Sequence, residues 1–76
     1  MTPPDPKIAR ALDMIDVLVA TEKLEVDASF DENACAKKLA GSLDDPERIA
    51  EILVETRGVV ELYATEDEIE AALARE

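Results

Sequence analysis

The sequence predicts a mainly α protein, a compact bundle of about four short helices over residues 6–23, 31–40, 46–57 and 66–75. Two short extended segments, 24–30 and 59–63, are available to pair as a minimal sheet. Three observations lead there. Apolar residues recur at helical spacing from Ile8 to Val19. A start signal precedes every helical segment, either Asp-Pro or a Ser/Thr with Glu three residues on. A chain of 76 residues, 47% of them apolar, allows one domain around one small core.

Residues 1–5 read as a proline-rich flexible lead, and 6–76 as a single helical domain. Asp5-Pro6 starts the first helix, with Asp as N-cap and Pro at the first helical position. Ile8, Leu12, Ile15 and Val19 form its apolar stripe, widened by Ala11 and Leu18. Met14 and Val17 lie off that stripe. With Tyr63 they are candidates for a dimer seam, or equally for a core that covers helix one from two sides.

Leu24 to Phe30 alternates apolar and polar residues, the pattern of a half-buried strand or of an extended loop anchored by Val26 and Phe30. Ser29 with Glu32 offers a capping box for the second helix, and Asp31 is the alternative cap. That helix carries Cys35, Leu39 and several alanines, and ends near Gly41. Its small residues let another helix approach closely. Asp45-Pro46 repeats the start signal. Ile49, Ala50, Leu53 and Val54 are expected on the inner stripe of helix three, with Ile52 beside them and Gly58 as the stop. Its outer face carries Glu47, Glu51 and Glu55, a row of like charges at i, i+4 spacing that costs stability unless a cation offsets it. Val59 to Tyr63 suits a second strand or a helical continuation. Thr65 with Glu68 caps the last helix, whose inner residues are Ile69, Ala72 and Leu73.

Charge excludes several functions. Asp and Glu number 19 against 8 Lys and Arg, a formal net charge of −11. Non-specific nucleic-acid binding needs clustered cations, and here Lys37-Lys38 is the sole adjacent pair, so no direct nucleic-acid binding is expected. The acidity suits solubility, a basic partner surface, or mimicry of a nucleic acid. There is no His, and Cys35 is the single cysteine. That excludes an intramolecular disulfide, a structural zinc site, and Ser–His or Cys–His catalysis built from this chain alone. The apolar run Met14 to Ala20 is broken by Asp16 and falls short of the ~20 residues of a membrane span. With no basic or apolar leader visible at Met1 to Pro6, a cytoplasmic, membrane-free protein is expected. A core this small rarely supplies more than ~3–5 kcal/mol, so self-association or docking on a protein partner is expected.

Few motifs carry chemistry. Asp27, Ser29 and Asp31 have the first spacings of a calcium loop, but Glu32 and Lys38 stand where Gly and Glu are required, so no metal site is expected. Cys35, between Ala34 and Ala36, reads as a small buried apolar residue, although Lys37 and Lys38 would activate it if exposed. Helices two and three have the arrangement of a helix-turn-helix, yet Glu47, Glu51 and Glu55 against Arg48 and Arg57 oppose a major groove. Such a scaffold serves protein contact better.

Ala28-Ser29-Phe30 and Gly41-Ser42-Leu43-Asp44 resemble two stretches of the acyl carrier proteins, acidic four-helix proteins of about this length. The resemblance implies a phosphopantetheine arm on Ser42. The chain departs from the family in having Gly41 where an Asp precedes the serine, and a short helix between Phe30 and Ser42.

The leading expectation is a non-enzymatic protein–protein interaction module without cofactor: a regulator, accessory subunit or inhibitor that binds through Glu47, Glu51 and Glu55. The alternatives are a carrier modified at Ser42 and a nucleic-acid mimic.

Overall fold

Side-chain caps start all four helices of the computed structural model, which describes residues 5–74. The order is α1 (Pro6–Ala20), β1 (Leu24–Val26), α2 (Glu32–Leu39), a 3₁₀ turn (Ala40–Ser42), α3 (Pro46–Glu55), β2 (Val59–Leu62) and α4 (Glu66–Leu73). The mainly α bundle with a minimal sheet is the observed architecture. Most of the expected lead, and the expected end of the last helix at residue 75, lie outside the described residues.

The Asp5 carboxylate accepts the Lys7 amide at 2.9 Å, and the Asp45 carboxylate accepts the Arg48 amide at 3.3 Å. Both satisfy a backbone donor that the first helical turn leaves free. The Thr65 hydroxyl accepts from the Glu68 amide at 3.2 Å, while the Glu68 carboxylate accepts from the Thr65 amide at 3.1 Å, a complete capping box. At α2 the alternative cap is used. Asp31 accepts the Ala34 amide at 3.1 Å, because Ser29 is committed to a turn in which its amide donates to Asp27 at 2.8 Å.

Helix ends differ from expectation where tertiary contacts intervene. α1 stops at Ala20, short of residue 23. Glu22 adopts φ 62°, the Glu22 amide donates to Val19 O at 3.1 Å, and the Lys23 amide donates to Leu18 O at 2.8 Å. This is the Schellman arrangement, here closed by a glutamate instead of the usual glycine. It turns the chain directly into β1. α3 ends at Glu55, before Gly58; the Thr56 hydroxyl donates to Ile52 O at 2.6 Å and the backbone turns extended.

The strands pair antiparallel, Leu24 with Leu62, Glu25 with Glu61 and Val26 with Val59, with an irregularity between Glu25 and Val26. Residues 59–62 are therefore a strand, not a helical continuation. The extended run is shorter than 24–30: the Phe30 amide donates to Asp27 O at 3.2 Å and closes a turn over residues 27–30. Gly58 sits beneath that turn with φ +94°, and its carbonyl accepts the Asp27 amide at 2.7 Å. A Cβ at Gly58 would overlap the backbone N and Cα of Phe30. Only glycine fits both the backbone angle and the approach.

The core is wholly apolar. α1 contributes Ala11, Met14, Ile15 and Leu18; α2 contributes Cys35, Ala36 and Leu39; Ile49 and Leu53 come from α3, Ile69, Ala72 and Leu73 from α4, and Leu24 from β1. α1 packs against both α2 and α4, and α3 against α4, α2 and β2. Met14 is fully buried, so it is core and not seam, while Val17 is partly buried against the core and Tyr63 is 57% exposed. Val19, expected inside, is 39% exposed. No helix among the described residues is long and apolar enough to cross a membrane.

Candidate interaction surface

Burial of Ile49 and Leu53 fixes the rotation of α3. That rotation turns Glu47, Glu51 and Glu55 to solvent, as the sequence pattern requires. The row is not uniform. Arg48 Nη1 lies 2.9 Å from Glu51 Oε2, an exposed i, i+3 pair that neutralises the middle of the row and contributes little stability. Glu55, about 40° further round the helix than Glu51, stands at the edge of this row. It lines a shallow cleft of about 310 Å³ between α2 and α3, with Lys38, Ser42, Arg48, Ile52 and Thr56. The structure thus brings Glu55 near two cations and Ser42, and leaves Glu47 outside that cleft.

Val54 corrects the sequence reading. It was expected on the inner stripe, yet it is 59% exposed. One residue beyond the buried Leu53 is about 100° further round the helix, which carries Val54 past the narrow arc that α3 buries. It stands three residues after Glu51 and one before Glu55, on the acidic face. This spacing to the glutamates was the available signal.

Ser42 closes the 3₁₀ turn, and its carbonyl accepts the Asp45 amide at 3.0 Å. The helix that follows opens at Pro46 with Asp45 as its cap, so Ser42 lies in the connection instead of at a helix start.

Cys35 is fully buried. Burial pushes its thiol above the usual range, and the Thr56 hydroxyl at 3.8 Å only partly offsets this. Since Thr56 gives its own proton to Ile52 O, its oxygen is left to accept from the thiol. This is a packed, protonated cysteine, not an activated one. Asp27 is held below the ordinary carboxylate range by the Ser29 hydroxyl and amide, so the start of the calcium-like spacing is a turn-forming residue. Among the described residues, no three metal-ligating side chains cluster.

Lys23 and Arg10 fasten α4 and the chain that leads into it. Lys23 Nζ lies 2.8 Å from Glu68 Oε2, and the Lys23 carbonyl accepts the Tyr63 and Ala64 amides at 2.8 and 3.1 Å. Arg10 donates through Nε and Nη2 to Leu73 O at 3.3 and 3.2 Å, capping the last turn of α4 from another helix. Glu68 is held below its ordinary range, first by Lys23 and then by the Thr65 amide.

Comparison of the chain with protein-family models, curated proteins and solved structures gives no significant match.

Proposed function

We propose that this chain is a small acidic, non-enzymatic interaction module, a regulator, accessory subunit or inhibitor that docks on a larger, basic-surfaced protein through the outer face of α3. The observation that carries the reading is Val54, 59% exposed beside the exposed Glu47, Glu51 and Glu55. An apolar side chain in water and carboxylates at i, i+4 spacing both gain from a partner that covers the first and neutralises the second. Steering by a net charge of −11 favours a partner of opposite sign.

The test is affinity capture from the source cell at low and high salt, with the wild type and two variants. One variant carries Glu47→Gln, Glu51→Gln and Glu55→Gln, the other Val54→Ser. A partner enriched by the wild type, reduced by salt and lost with both variants is the expected result, with circular dichroism showing both variants folded. Enrichment unchanged in folded variants would remove α3 as the contact face.

A further inference from the structure

We propose that the cleft between α1 and the start of α2 is a second anchor, which seats a Lys or Arg side chain projecting from an apolar stretch of the partner protein. The inference rests on the interaction-module reading and names what this second site takes. The cleft has a volume of about 410 Å³, with Val19, Ala20, Val26 and Phe30 among its walls. Asp16 of α1 and Glu32 of α2 stand in the same lining. The cleft is open to solvent, since Val19 is 39% exposed and Asp16 is exposed.

The two carboxyls come from different helices and line the same cleft. Glu32 is pushed above the ordinary carboxylate range, first by its hydrogen bond with Asp16, then by burial and by the Asp16 charge. Among the described residues the ion pairs are Lys23 with Glu68 and Arg48 with Glu51, so neither cleft carboxylate has a basic partner of its own.

Charge complementarity selects the occupant. A cation between Asp16 and Glu32 replaces repulsion by two charge-assisted hydrogen bonds. The apolar walls suit the methylene stem of Lys or Arg, whose head then reaches the carboxylates, and Arg presents a planar fork to such a pair. A second copy of this chain is a poor occupant, because each copy carries a charge of −11.

The test uses a blocked hexapeptide of alternating Leu and Arg, and its Leu–Gln counterpart, titrated into the ¹⁵N-labelled full chain at low salt. The expected result is saturable amide shifts centred on Val19, Val26, Phe30 and Glu32, absent with the Leu–Gln peptide. Asp16→Asn combined with Glu32→Gln weakens the Leu–Arg peptide about tenfold, about 1.4 kcal/mol. The Glu47→Gln, Glu51→Gln, Glu55→Gln variant leaves those shifts in place. The spectra themselves report whether each variant is folded. Shifts confined to α3, equal affinity in the double variant, or no saturable shifts would each overturn the cleft as a site. None of these would touch the α3 reading, which stands or falls on the capture experiment.

Discussion

α2 and α4 are both eight-residue helices with a side-chain cap and an acidic first turn, yet one glutamate in each first turn, Glu32 and Glu68, sits in an opposite environment. Glu68 of α4 meets a cation from the β1 entry, Lys23, and is held below its ordinary range. Glu32 of α2 meets the Asp16 carboxyl of α1 and is pushed above it. The far ends differ as well. α2 carries its own cations, Lys37 and Lys38, in the last turn, whereas α4 has none there and receives Arg10 from α1. Local rules make both helices. Tertiary neighbours decide their electrostatics: α1 offers Asp16 to the start of α2 and Arg10 to the end of α4, and Lys23, just beyond α1, meets Glu68. The front of α4 is a satisfied latch. The front of α2 is a repulsive edge beside an apolar cleft, and that contrast motivates a partner at α2 and not at α4.

The largest test of the contrast removes the support beneath the entry to α2. Gly58→Ala places a Cβ on the Phe30 backbone at φ +94°. The strain is about 3–5 kcal/mol, comparable to the whole stability of a domain this small. Loss of cooperative unfolding by circular dichroism is expected, and a variant as stable as the wild type would contradict the close approach.

A smaller test addresses the α4 latch. Thr65→Ala removes the acceptor for the Glu68 amide and costs about 1 kcal/mol in denaturant unfolding. Asp31→Ala at α2 costs a similar amount, since it also removes one cap acceptor. A cost at one cap alone would show that the two helix starts are not equivalent locally, which would break the premise of the comparison.

The smallest effects separate the two glutamates by sign. A carboxyl raised on folding, as Glu32 is, contributes stability that is present below its unfolded value and lost as pH rises through the folded one. A carboxyl lowered on folding, as Glu68 is, contributes stability that is present above its unfolded value and lost as pH falls through the folded one. Asp16→Asn is therefore expected to raise the melting temperature slightly at neutral pH, with the gain shrinking as pH falls into the range where Glu32 protonates. Glu68→Gln is expected to lower it slightly at neutral pH, with the loss shrinking as pH falls below the ordinary carboxylate range. Melting curves of both variants at neutral and acid pH check the signs, and changes of the same sign would contradict the assigned environments.

The sequence by itself determined where helices begin. Asp5-Pro6, Asp45-Pro46 and Thr65 with Glu68 act across one helical turn, so their chemistry is complete within a few residues, and each is used as written. It also determined the outward row Glu47, Glu51 and Glu55, because Ile49 and Leu53 fix the opposite face of the same helix. Only the tertiary structure decided the rest. β2 became a strand because β1, far off in sequence, supplies its hydrogen bonds. Met14 went in, and Val19 and Val54 turned outward, because the buried arc of a helix depends on which neighbours cover it. α1 ended early because Glu22 took a left-handed backbone to deliver the chain to that sheet. The pairing of Asp16 with Glu32, and of Lys23 with Glu68, follows from the packing of α1 against α2 and α4 and from the turn that carries Lys23 out of α1. No spacing along one helix records an encounter between two.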